Sequence, residues 1–206
     1  MADTTDILLP PGRIIQGDVY VGSDTDSKGQ PRVVKTGPNA GQRVKQYFIA
    51  VAIPKGAEPH WAHTPWGQKI WATGAAGHPN FYQNRGFAWK IEDGDSTEVN
   101  KNGKRMCDAE GAKGHWVVKC STQIAPSVHQ QPSPGVFERL DTPGLFKRGW
   151  WAQVNVSVKP NTGETPGVYV NHTMLLFFKT DAEISSGPDA ATAFAGAAVA
   201  QLPGAA

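Results

Sequence analysis

Three kinds of residue recur together in this chain in a way that could do chemistry. Aromatic rings and basic side chains are interleaved at Lys45-Gln46-Tyr47-Phe48, at Trp66, Lys69 and Trp71, at Arg85, Phe87, Trp89 and Lys90, and at Lys147-Arg148-Gly149-Trp150-Trp151. Phe81 and Tyr82 add two more rings just ahead of Arg85. A ring offers a flat π-face on which a nucleobase can stack, and a cation on the same groove neutralises a phosphate. The stackers this pattern nominates are Trp151, Tyr47, Trp71, Phe81, Tyr82 and Trp89, with Trp151 first. The phosphate contacts it nominates are Lys45, Lys69, Arg85, Lys119, Lys147 and Arg148. The competing reading is structural: most of the chain's seven tryptophans must fill the core of so small a domain.

Catalytic patterns are weaker. No P-loop, dinucleotide fingerprint, nucleophile elbow or HExxH motif occurs. His60 and His63 have ligand spacing but no convincing third ligand, and Cys107, His115 and Cys120 lack a CxxC element. Glu92, Asp93 and Asp95 form the densest acidic cluster, around an Asp-Gly-Asp turn. The expectation is a protein that is not an enzyme and carries neither cofactor nor metal.

The elements that must hold these residues are mostly strands. Phe146–Val158 alternates, with Trp150, Ala152, Val154, Val156 and Val158 on one side and Trp151, Gln153, Asn155 and Ser157 on the other. Trp150 is therefore expected in the core and Trp151 on the wet face. Gly167–Phe178 reads as its antiparallel hairpin partner. Further strands are expected over Arg13–Val21, with a bulge at its glycine, over Val44–Ile53, covered on both faces, and over His115–Ile124. A short helix, interrupted by glycine, is expected over Pro65–Ala75, with Thr64 as N-cap and Pro65 at its first position. Loops with short strands at Pro31–Lys35 and Val136–Leu140 complete the pattern.

With 23 glycines, 16 prolines and 18% charged residues, the composition favours short strands and turns over long helices. The expected fold is all-β, mainly strands with one short helix, resembling the partly open five-stranded OB barrel with long loops. Residues 1–12 read as a flexible N-terminal arm, 13–184 as the binding domain, and 185–206 as an Ala/Gly/Pro-rich mobile tail. The net charge is +2, but residues 1–180 carry +5 and the remainder −3. That asymmetry is compatible with a polyanionic partner without demanding one. The N-terminus has no basic leader followed by an apolar run, no stretch reaches the length of a membrane span, and the two cysteines read as free thiols. The expected location is the cytoplasm.

In order, QYFIAVAIPKG (Gln46–Gly56), KIEDGD (Lys90–Asp95), GHWVVKCSTQIAPSV (Gly114–Val128), GWWAQVNVSVKP (Gly149–Pro160) and GVYVNHTMLLFFKTD (Gly167–Asp181) resemble a bacteriophage family of single-stranded DNA-binding proteins with an OB-fold. The order and spacing of the segments, over roughly residues 10–185, carry the resemblance. It implies a protein that coats single-stranded DNA during phage replication, recombination or repair, in the cytoplasm of the host cell. Implied partners are single-stranded DNA, phage or host replication proteins, and further copies of the chain as a homodimer or cooperative assembly. The chain departs from the family in lacking a strongly acidic, aromatic-ended tail. Asp181, Glu183 and Asp189 leave only a weak acidic patch. A virion β-domain and a metal-dependent hydrolase using His60, His63 and the acidic turn remain the alternatives.

Overall fold

A computed structural model describes residues 4–26, 28–34, 37–100 and 103–185. Its frame is one mixed sheet of nine strands. In chain order these are β1 (Thr5–Leu8), β2 (Gly12–Gly17), β3 (Tyr47–Pro54), β4 (Ile91–Asp93), β5 (His115–Thr122), β6 (Ser127–Ser133), β7 (Val136–Arg139), β8 (Trp151–Pro160) and β9 (Val168–Lys179). They lie in the order β4-β5-β3-β2-β8-β9-β6-β7, with β1 on the remaining stretch of β8's edge. One helix, α1 (Pro65–Gly77), follows a single 3-10 turn at Trp61–His63. The all-β, OB-like class expected from the sequence holds; the sheet is not closed into a barrel, and it has more strands than the five expected.

Alternation decides which side of each strand is buried. Ala152, Val154, Val156 and Val158 of β8 are fully buried, and Trp151, Gln153, Asn155 and Ser157 are half-buried on the opposite side. Strand β3 is covered on both faces, as expected. Ile49, Val51 and Ile53 join the main core, and Ala50 and Ala52 join a smaller core with Ile15, Met106, Val117 and Ile184. The register of β2 against β3 slips between Ile14 and Gln16, next to the glycine that suggested a bulge.

Three expectations need correction. Residues 1–12 are not simply an arm: Thr5–Leu8 pairs with Val158–Asn155 of β8, and Ile7 and Leu9 are buried. Burying those two side chains offsets the entropy of ordering a short segment. The helix runs 13 residues without interruption. A Cβ at its Gly74 would lie 2.5 Å from the Trp89 ring, so this glycine lets an aromatic approach the helix. Thr64 does cap it, accepting from Gly67 N–H at 3.0 Å. Finally, the segment before Val136 contains β6, which pairs in parallel with β9 through Ser127–His129. Its sequence, SVHQQPS, has no apolar alternation, because much of it faces solvent. The expected tail lies, from residue 186 on, outside the described residues.

Candidate nucleic-acid interface

The wet face of β8 continues onto β9 by register. Trp151 stands opposite Lys179, Gln153 opposite Leu176, Asn155 opposite Met174, Ser157 opposite Asn171 and Lys159 opposite Tyr169. A bulge keeps this face in phase, because the pairing skips a residue between Asn155 and Val156. Each end of the strip holds a ring with a lysine near it. Lys179 Nζ sits 4.7 Å from the Trp151 ring centre, and Lys159 Nζ 5.9 Å from that of Tyr169. Between them, Leu8, Phe137, Met174 and Leu176 line an apolar hollow of about 520 Å³, bordered by Gln153, Asn155 and His129. Phe137 and Met174 are well exposed there. Asp6, opposite Ser157, and Asp181, beside Trp151, put negative charge on the margins. Flat apolar surfaces and flanking cations are what a flexible polyanion with flat bases requires.

The nominated residues do not all come together. Trp151, Lys147 and Arg148 converge, but on the chain's own segment after β9. The Trp151 indole N–H donates to Asp181 Oδ2 at 2.8 Å, Lys147 pairs with Glu183 at 2.8 Å, and Arg148 Nε donates to the Ile184 carbonyl at 2.5 Å. Arg13 ties the same segment down, donating to the carbonyls of Gly149 and Ala182, each at 2.8 Å. Gly149 has φ 101°, and a Cβ there would lie 2.1 Å from the Ala182 carbonyl oxygen. The hydrogen bond from Trp151, then that from Ala182 N–H, holds the Asp181 carboxyl below its usual range. Asp181 and Glu183 of the weak acidic patch are thus engaged by Trp151 at the start of β8 and by Lys147 just ahead of it.

Trp71, Tyr82 and Trp89 converge elsewhere. Trp71 stacks on Trp89 at 4.7 Å and 9°, Tyr82 meets Trp71 edge-on at 5.6 Å, and Trp61 and Phe87 close the group around Trp89 at 5.3 and 4.4 Å. Phe81 is exposed beside this cluster, and Lys69 is exposed on α1. Arg85 is exposed and pairs with Glu98 at 3.3 Å. Lys119 is held by Glu92 on β4. Lys45 lies two residues ahead of β3, and Tyr47 opens it, beside Gly22.

Sequence reasoning missed Lys159, Tyr169, Lys179, Phe137, Met174 and His129. The period-two pattern applied to β8 would have found Tyr169 and Asn171 had it been carried to β9, where Val168 and Val170 are buried and Tyr169 is exposed. Phe137 and His129 had no such signal, because β6 and β7 reach the strip only through tertiary pairing.

The acidic turn has a structural partner. Lys55, just past the end of β3, donates to Asp93 at 2.5 Å and Asp95 at 2.7 Å, and lies 4.4 Å from the Trp116 ring centre. Burial acts to lower the Lys55 pKa, but the hydrogen bonds to Asp93 and Asp95 outweigh it and hold the ammonium above its usual value. The Pro-Lys step and the Asp-Gly-Asp turn, far apart in sequence, are two halves of one ion-paired corner. The rings of His60 and His63 lie 5.9 Å apart, and burial, then His63, pushes the His60 pKa down. Among the described residues no group of three or more His, Cys, Asp or Glu is placed to hold a metal.

No family model matches the sequence, and a search of curated proteins gives no match. Solved structures do match. The single-stranded DNA-binding protein of bacteriophage Enc34 superposes with TM-score 0.61 at 16% identity, covering 91% of this chain and 88% of that one. Its C-terminally truncated form gives 0.59 at 17%, covering 87% and 88%. The same phage protein in complex with single-stranded DNA gives 0.56 at 19%, covering 87% and 89%. The likeness read from the ordered segments therefore holds at the level of the fold, which this chain shares with the single-stranded DNA-binding protein of bacteriophage Enc34.

Proposed function

We propose that this protein binds single-stranded DNA along the wet face of β8 and β9, coating strands exposed during phage replication, recombination or repair. The observation that carries this reading is the strip itself. It has a lysine-flanked ring at each end, an apolar hollow between them, and polar side chains along its length. The shared fold supports it, because the Enc34 protein has been solved in complex with single-stranded DNA. Binding is by stacking and phosphate neutralisation. The protein acts without catalysis in the host cytoplasm, alongside replication proteins and further copies of itself. The acidic residues of the turn are engaged by Lys55, which supports a non-catalytic role. In the test, oligo(dT) is titrated at low and high salt while tryptophan fluorescence and gel mobility are followed. Quenching and a mobility shift that weaken steeply with salt are expected; neither signal at low salt would refute the reading.

A further inference from the structure

At the hairpin end of the strip the surface changes character. A groove of about 490 Å³ runs between the ends of β3 and β5 and the β8–β9 hairpin. Three carboxamides line it, Gln46, Gln123 and Asn171, together with Ser157, Lys159 and Tyr169. Their origins differ: Gln46 precedes β3, Gln123 follows β5, and Ser157 and Asn171 form a facing pair of β8 and β9. Among the described residues the side chains of Gln46, Gln123, Ser157 and Asn171 have no hydrogen-bond partner, whereas Thr173 nearby is satisfied by Asn155 at 2.8 Å. Coating a strand without regard to sequence calls for π-faces and cations, and this groove offers a ring and a lysine. It does not call for several open amides. A carboxamide presents a donor and an acceptor side by side, and in base recognition that pair matches the N6 and N7 edge of adenine.

We infer that this groove is a base-reading subsite, in which one unstacked adenine rests against Tyr169 and is selected by the carboxamides of Gln123 and Asn171. The inference rests on the proposed binding of single-stranded DNA and adds a preference that coating alone does not supply. Phosphate contact at Lys159 would hold the strand in register.

Oligonucleotides of one length are compared at one salt concentration, with the thymines of oligo(dT) replaced stepwise by adenine or by cytosine. The wild-type protein is expected to favour the adenine series by about fivefold or more, the low end for a paired amide–adenine contact. Gln123→Leu, off the β8–β9 strip, is expected to erase that preference while leaving affinity for oligo(dT) in place, and Asn171→Leu, on the strip, to erase it whatever its effect on oligo(dT). Retained thermal unfolding shows that the variants are folded. Equal affinity for the three series, with binding intact, overturns the subsite and leaves the broader reading standing. A preference that survives in both variants, or one for cytosine, also overturns it. Failure to bind any of the three overturns the subsite and the proposed function together.

Discussion

Around α1, Trp71 lies flat on Trp89 with Trp61, Phe87 and Tyr82 against them, so these rings mostly meet other rings. On the β8–β9 face, Trp151 and Tyr169 instead meet lysines and solvent. Both regions mix aromatic and basic residues in sequence. In the helix, Trp66 and Ile70 turn into the core while Lys69 is left in water, so the mixture is amphipathicity. In the strand pair, ring and cation share the same face because residues opposite each other in a ladder point the same way. Interleaving brings ring and cation onto one surface only where the backbone geometry turns both to the same side.

The largest expected effect separates the two regions by stability. Trp61→Ala should cost roughly 3–5 kcal/mol in urea unfolding, as for other large buried aromatics, with the oligonucleotide affinity of the folded protein unchanged. If affinity falls and stability does not, the cluster is the binding surface and the comparison is inverted.

The next effect concerns the underside of β9. His172 of β9 is fully buried, and neither ring nitrogen has a partner. Burial pushes its pKa from 6.5 down to about 4. The unfolded chain therefore takes up the proton first as pH falls, and stability drops between about pH 6.5 and 4. The stability lost is about 3 kcal/mol, and none is lost through this group above pH 6.5. His172→Leu should flatten that part of the stability–pH curve; an unchanged slope would assign the acid sensitivity elsewhere.

A smaller change tests the strip directly. Tyr169→Ala should weaken oligo(dT) binding by roughly 1–3 kcal/mol, the value of one stacked base, while leaving unfolding almost unaffected. The smallest expected effect divides the cations. Lys159→Gln and Lys179→Gln should each lower the slope of log affinity against log salt by about 0.7, one phosphate contact on a single strand. Lys147→Gln, whose ammonium is paired with Glu183, should leave that slope in place. Equal slopes for all three would place the strand across the segment after β9 instead.

Much of the frame was legible because local rules and tertiary structure agree. The alternation of β8, its hairpin with β9, the two covered faces of β3 and the Thr64-Pro65 start of α1 all follow from side-chain periodicity and capping. Strand β6 was not legible, because a short polar strand held by parallel pairing to a distant partner leaves no period in its own residues. Strand β1 was obscured by its shortness and by the prolines that follow it.

The sequence by itself determined that Trp151, not Trp150, lies on the wet side of its strand, since a period of two admits no other assignment once the valines are buried. Trp150, just ahead of β8, is half-buried rather than in the core, and packs against the core's edge on Phe146 and Phe177, at 6.0 and 5.7 Å. Only the tertiary structure decided what meets each side chain. Asp181 and Lys179 reach Trp151 because β9 returns alongside it, Lys55 finds Asp93 and Asp95 across a long separation, and Trp71 and Trp89 occupy one another. Local periodicity fixes the direction in which a side chain points; its partner is fixed by where distant segments of the chain are brought together.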